Sequence, residues 1–416
     1  METEMITTTL EAAKRLTINK QFLSGNAPDG SFNNKLKTII RNTGYIQWDP
    51  VTVVAPSHLI SIWSRIGKFD HSDLDNMMWK DKEALFHWSP TAWIVLTEDY
   101  PIFYSLMKRY PDSMRRGWTS HIESAKKILE SNNGLKQRVI SRLKAGPAET
   151  GHFRGYGNIE KSQDGWSSGN EVSQLLFHLH MTGEVMVVGH SANQNVWALT
   201  DDFLPEWADR TIFPIEELEK RTAIRALKAL GVAPELDIYR YFVRGRYTNL
   251  KGVLKQLVED GIVVKIRIEE QANAKPHYLL SDDKRSLDSI MSDKWEARLN
   301  LISPFDNMIT LRERAQRMFN FDYILEQFLP KEKRKFGTYV LPILWDCNLV
   351  GRLDAKFDRD KETLNIKGVF AEPKFHKDTI IGINLHKKVE EFAEFLGAEK
   401  ILYGKEKPEK WAKYLN

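Results

Sequence analysis

The chain has 416 residues, of which 42% are apolar and 28% charged; this is the balance of a soluble globular protein of several domains and excludes a disordered tail protein, a collagen and a coiled-coil rod. Lys+Arg 60 against Asp+Glu 56 leaves a formal charge of +4, too small an excess to reveal a nucleic-acid partner by itself, so where the charges lie matters more than their sum. The single cysteine, Cys347, excludes an intramolecular disulfide framework and a cysteine-built zinc or iron–sulfur site; a packed thiol in a reducing cytoplasm is expected.

The N-terminal segment METEMITTTLEAAKRL has no apolar signal-peptide core, and no apolar run approaches the roughly 20 residues that span a bilayer. A cytoplasmic protein without membrane contact is expected. The segment TLEAAKRLTINKQFL reads as a first helix. Ile40, Gly44 and Ile46, in LKTIIRNTGYIQWDP, then have the spacing of a helix that ends on a glycine and runs into a strand. Gln47 and Asp49 fall on that strand, and residues two apart point to one face. An amide and a carboxylate would stand side by side there, with Pro50 limiting the strand. Taken alone, the pair also suits polar residues alternating outward on an edge strand.

Basic residues follow in a connecting stretch: Lys108, Arg109, Arg115, Arg116, Lys126 and Lys127. The segment GHFRGYGNIEKSQDGWSSGNE (151–171) is rich in Gly and Ser and carries Phe153, Tyr156 and Trp166. It reads as a loop that stacks on DNA or as a surface loop with buried aromatics.

A repeat comes next. LLFHLHMTGEVMVV, with Leu176, Leu179, Gly183 and Val185, and VLKQLVEDGIVVKI, with Leu254, Leu257, Gly261 and Val263, share the pattern L-x-x-L-x-x-x-G-x-V. Similar polar intervals lead to matching tails, WALTDD (197–202) and YLLSDD (278–283). Leucines three apart and a glycine four later describe the last turns of an amphipathic helix and its left-handed terminator. Alternating apolar residues then start a strand, the polar stretch is a hairpin tip, and the tail is the return strand. Upstream of the later copy, RTAIRALKALG (221–231) reads as a helix ending at Gly231 and ELDIYRYF (235–242) as a short helix. Thr248 is the N-cap candidate of the next. Three helices and a hairpin make a winged helix. With the segment around Gly44 as an N-terminal copy, three winged-helix units are expected, over 1–100, 101–215 and 216–290.

The third unit is basic where a winged helix meets DNA. Arg240, Arg244, Arg246, Lys251 and Lys255 lie on or just before its recognition helix, and Lys265 and Arg267 in its wing, positions that suit phosphate contacts. The plain alternative is a solvated helix face. The remainder, 291–416, differs. FGTYVLPILWDCNLVGRLDAKFDRDKETLNIKGVFAEP (336–373) contains three strand-like runs separated by turns around 346–348 and 358–361. An antiparallel meander with a final helix over 377–397 is expected, a separate β-rich module that makes the whole chain α+β.

The residues TGYIQWDPVTVVA (43–55) and WSRIG (63–67) resemble the start of the winged-helix DNA glycosylases of the AlkZ/YcaQ-like family, which unhook interstrand crosslinks. The resemblance continues in order through GW (165–166), TGEVM (182–186), the Leu199-Thr200 tail, LISPFDNM (301–308), Arg312 to Arg314, FDY (321–323), YVLP (339–342), VGR (350–352) and AEP (371–373). It implies tandem winged helices followed by a C-terminal β-barrel-like module. The family's motif is Gln-x-Gln in one branch and Gln-x-Asp in the other, so the resemblance makes Gln47 and Asp49 the catalytic pair. It further implies a monofunctional glycosylase, without metal or cofactor, acting as a monomer on double-stranded DNA with N7-alkylated purines, crosslinks included. Arg244, Arg246, Lys251, Lys255, Lys265, Arg267 and Trp166 are the expected DNA contacts.

The chemistry is consistent with such a pair. Alkylation at N7 leaves a cationic base that departs readily, so little general-acid help is needed. What remains is to stabilise an oxocarbenium-like sugar and supply water; a carboxylate does both, and an amide can hold the water. A crosslinked base cannot leave the duplex fully, which favours an open cleft over a tight flipping pocket. The chain departs from its relatives at Trp88-Ser89-Pro90-Thr91-Ala92, where they carry a Trp and then His-Glu-Ala; His87 is near but not at the matching position. Any contact made by that His-Glu pair is missing here. Asp306 and Arg312 either reach the cleft or pair structurally. His178 and His180 sit on the second unit's third helix, and no histidine has metal-ligand spacing with carboxylates. A regulator built of stacked winged helices would share the repeat and the basic unit but leaves Gln47 and Asp49 without a role.

Overall fold

The computed structural model describes residues 5–88, 91–112, 122–123, 126–127, 130, 134–156, 171–191, 194–271, 275–291 and 295–416. Trp166, Arg115, Arg116, Ser89 and Pro90 lie outside them. The chain forms two compact units. The larger comprises Met1–Asp73, Ala223–Phe242 and Asn249–Asn416; the smaller comprises Leu74–Thr222 and Val243–Thr248.

The larger unit begins with β1 (Ile6–Thr8) and α1 (Leu10–Lys20). The Thr9 hydroxyl caps α1 by accepting from the Ala12 N–H at 3.2 Å. α2 (Phe32–Thr43) ends at Gly44, whose φ of +85° an L side chain resists. A Cβ there would also lie 2.9 Å from the Phe242 ring. The chain then enters β2 (Ile46–Gln47) and, after a loop, α3 (Ser57–Ile66).

In the smaller unit, β3 (Ala84–Trp88) and β4 (Ala92–Leu96) form an antiparallel hairpin. β5 (Ala148–Glu149), β6 (Val185–Ser191) and β7 (Gln194–Leu199) form a sheet in the order β5-β7-β6. The helices Leu135–Lys144 and Glu171–Met181 bury Leu135, Val139, Leu143, Leu175, Leu176 and Leu179.

In the larger unit again, the helix Ile215–Leu230, which enters from the smaller unit, is followed by β8 (Ala233–Pro234), the helices Glu235–Arg240 and Leu250–Glu259, and the hairpin β9 (Val263–Ile268) and β10 (His277–Leu280). β1 adds parallel to β9, so the sheet runs β1-β9-β10-β8. The cap of Leu250–Glu259 is Asn249, whose Oδ1 accepts from the Gly252 N–H at 3.1 Å, and not Thr248. Thr248 is held elsewhere: its N–H and hydroxyl both donate to Glu219.

Three hairpins share one closure. Gly183 and Gly261 have φ of +79° and +71°, and the next N–H, of Glu184 or Ile262, donates five residues back to Leu179 or Leu257. Each return strand gives way to a helical turn where the sequence suggested continued strand: Thr200 and Ser281 donate their N–H to the carbonyls of Glu184 and Ile262. The third instance is β3–β4, where Lys82 takes the left-handed position with φ of +56° and Thr97 closes on Glu83. The segment around Gly44 runs from α2 through the glycine into the two-residue strand β2, as its spacing suggested, and the hairpin with the shared closure follows later in the chain.

The C-terminal strands β11 (Leu299–Leu301), β12 (Val340–Trp345), β13 (Asn348–Asp358), β14 (Thr363–Ala371) and β15 (Lys400–Glu406) form one sheet in sequence order. The expected barrel does not close among the described residues. β11 to β14 are antiparallel, but the helix Thr379–Leu396 crosses over and delivers β15 parallel to β14. One core joins α1 (Ala12, Ala13, Leu16), the hairpin (Ile266, Leu279), Ile302 and Phe319, and the sheet (Leu344, Leu349). Residues on both sides of the expected 290/291 boundary share that core.

Candidate active site

Gln47 ends β2, which is anchored before it reaches that residue, and Asp49 lies two residues past the strand's end rather than on it as expected. Tyr45 and Ile46 are buried, and so is Gln47, at 9% exposure. Asp49 is half-buried. Its Oδ1 accepts from the Val51 N–H at 2.9 Å, and its carbonyl accepts from the Ser57 N–H at 3.2 Å at the start of α3. Both bonds hold the carboxylate against a fixed backbone. Burial pushes the Asp49 carboxyl above the usual aspartate range, and the Val51 N–H opposes that only in part.

Beneath it lies a hydroxyl cluster. Ser57 Oγ and Ser303 Oγ are 2.7 Å apart and buried. The Tyr339 phenol is buried beside them and is raised above its ordinary range, by desolvation first and by the charge of Asp49 among the lesser causes. Trp48 stacks on His58 with ring centroids 3.9 Å apart and planes 8° from parallel. The loop after Asp49 is strapped to the sheet: the Phe357 N–H donates to Val53 at 3.1 Å, and Arg359 donates to the carbonyls of Thr52 and Val54.

The segment Ser303 to Asn307 braces all of this. Asn307 Nδ2 donates to the Tyr45 carbonyl at 3.0 Å and to the Tyr241 hydroxyl at 2.8 Å, and Tyr241 donates to the Thr43 carbonyl at 2.8 Å. Asp306, with no exposed surface, pairs with Arg65 of α3 at 2.7 and 3.0 Å, and Arg65 also donates to Gln21. Asp306 is thus a structural partner and not a cleft residue. Arg312 donates to the carbonyls of Ile309 and Pro304 and lies over the Tyr323 ring, also a structural position. Arg65, Asn307 and Tyr339 carry only the signal of belonging to the stretches 63–67, 301–308 and 339–342, and Ser57 falls between the quoted stretches and carries none.

The expected DNA contacts divide. Lys251 and Lys255 are exposed on one face of the helix Leu250–Glu259, and Lys255 pairs loosely with Glu259 at 3.6 Å. Lys265 and Arg267 are exposed on one face of β9, while Ile266 and Ile268 point into the core. Arg244 and Arg246 belong to the smaller unit. Arg244 adopts φ of +52° and lies over Trp93. Arg246 is half-buried, its Nε donates to the Val243 carbonyl, and burial pulls its guanidinium down to about 10.

The histidines pack. His87 and His180, with centroids 5.6 Å apart, are buried, and desolvation holds both below the usual histidine range, His180 at about 4. His180 Nε2 accepts from the Trp88 N–H at 3.2 Å. His178 faces the Tyr110 hydroxyl at 3.3 Å. Among the described residues no group of three His, Cys, Asp or Glu could hold a metal, and no helix is long and apolar enough to cross a membrane. Cys347 is buried in the core, and burial pushes its thiol up to about 11.

Two comparisons bear on this arrangement. The sequence model described as DNA glycosylase AlkZ-like matches residues 40–397. The fold is similar to that of the DNA glycosylase AlkZ of Streptomyces sahachiroi, with a TM-score of 0.64 at 13% sequence identity, covering 96% of this chain and 99% of that one.

Proposed function

The chain belongs to the AlkZ-like DNA glycosylase family, an enzyme of DNA repair that binds DNA, and from that premise we propose that Gln47 and Asp49 hydrolyse the N-glycosidic bond of N7-alkylated purines, interstrand crosslinks included. The observation that carries the reading is the half-buried Asp49 carboxylate, fixed by the Val51 N–H and raised by burial two residues from a buried amide.

The departing base is cationic and takes the bonding electron pair, so it leaves neutral. Positive charge passes to the sugar, where an ionised Asp49 stabilises it. Asp49 then accepts a proton from the attacking water as its oxygen bonds to the anomeric carbon. Gln47 orients that water through its amide.

The three hairpin closures support a reading as three winged-helix units, with the C-terminal sheet as an open relative of the barrel-like module. Lys251, Lys255, Lys265 and Arg267 are the proposed phosphate contacts, on one copy of the chain acting alone. Base release from duplexes carrying N7-methylguanine, or a nitrogen-mustard crosslink, is the test. Wild type should release the base and Asp49→Asn should not, while both bind DNA alike. Tight sequence-selective binding without release by either would mean a regulator.

A further inference from the structure

The smaller unit contains an open cavity of about 560 Å³ whose lining includes Tyr104, Lys108, Lys136, Lys144, Thr200 and Arg210. We propose that this cavity binds a phosphate group of the DNA backbone, held by Lys108, Lys144 and the Thr200 hydroxyl. The proposal rests on the reading of the chain as a DNA glycosylase for the source of the phosphate.

The repeat supplies the first argument. Thr97, Thr200 and Ser281 occupy the same position in the three hairpin closures. The Thr97 hydroxyl donates to the Lys82 carbonyl at 2.5 Å, and the Ser281 hydroxyl to the Gly261 carbonyl at 2.5 Å. Thr200, only 4% exposed, makes no such bond, and its hydroxyl has no partner among the described residues. Gly183, whose carbonyl is the equivalent acceptor, lines the same cavity. A buried hydroxyl left open costs stability, so a fold that satisfies it twice and leaves it open once has a use for it.

Charge supplies the second. The two carboxylates of the lining are already engaged: Glu184 with Lys136 at 2.7 Å and Asp201 with Arg210 at 2.5 Å. Lys108 and Lys144 have no carboxylate partner among the described residues, and Lys108 is steadied over the Tyr104 ring at 4.8 Å. Two uncompensated ammonium groups and a hydroxyl are the donors that a phosphodiester takes from side chains.

The test is anisotropy of an undamaged labelled duplex across about 50 to 200 mM salt, for wild type, Lys108→Gln/Lys144→Gln and Thr200→Val. The double variant should flatten the slope of log affinity against log salt by about 1 to 2, because each lost phosphate contact returns its counterion. Thr200→Val should weaken binding several-fold without lowering the melting temperature; a merely structural threonine would lower it. An unchanged slope and affinity in both variants overturns the proposal. So does saturation of wild type by millimolar inorganic phosphate while the duplex slope is unmoved, which would make this a site for a free phosphate. Base release measured on the same wild-type preparation tests the glycosylase reading separately, since loss of release leaves the slope comparison intact.

Discussion

Asn307 holds the strand that carries Gln47: its side-chain amide donates to the carbonyl of Tyr45 at 3.0 Å, two residues before Gln47. The same nitrogen reaches the Tyr241 hydroxyl, which is itself tied to Thr43 at the end of α2. Asn307→Leu keeps the branching of the side chain and removes the donor, so the Tyr45 carbonyl is left with the Thr43 hydroxyl and the Tyr241 hydroxyl with the Thr43 carbonyl. Each lost hydrogen bond costs about 0.5–1.5 kcal/mol. Urea unfolding should show a loss in that range, and single-turnover base release should fall further than stability explains.

Asp49 is destabilised by the position it occupies. Its folded carboxyl binds a proton more tightly than an unfolded aspartate because burial disfavours the charge. The sign follows by linkage. Stability from this group is present below the unfolded pKa and is lost as pH rises through the raised folded value. At neutral pH the ionised Asp49 therefore costs stability, and Asp49→Asn should raise the melting temperature while abolishing base release. In wild type, release should fall on acidification with an inflection above the ordinary aspartate value. A pH–rate profile beside thermal melts checks both.

The buried pair of Arg65 and Asp306 ties α3 to the segment that holds the active strand. Asp306→Ala leaves a guanidinium buried at 2% exposure without its carboxylate, which should cost about 3–5 kcal/mol. The double replacement Arg65→Met/Asp306→Leu should recover much of that loss, because the two desolvation penalties vanish together. A double-mutant cycle by denaturant unfolding measures the coupling.

The surface and half-buried cations should behave oppositely. Lys265→Gln/Arg267→Gln removes two exposed charges from β9 and should weaken DNA binding and flatten its salt slope by about 1–2 with an unchanged melting temperature. Arg246→Gln alters a half-buried group bonded to the Val243 carbonyl and should lower the melting temperature instead. Equal effects of both on the salt slope would place Arg246 at the DNA.

What the sequence determined by itself is local. Gly183 and Gly261 mark helix ends because only a residue tolerating positive φ can close them, and the leucines three apart mark the buried faces. Gln47 was legible as a strand residue, but Asp49, expected on the same strand, lies beyond its end and is fixed by the Val51 N–H instead. The turns after β12 and β13 were legible from their Asp, Asn and Lys clusters. The tertiary structure decided the rest, where a residue departs from its local preference or finds its partner far along the chain. Lys82 adopts a left-handed conformation that its type does not advertise, so the N-terminal hairpin was missed. Thr248 lost its capping role to a carboxylate 29 residues away. β15 returned parallel through a helix, leaving the sheet open. Asn307 and Asp306 met the active strand and α3 across 262 and 241 residues. A hydrogen bond at such separation leaves no periodicity or spacing in the sequence, because it forms only when packing has brought the two segments together.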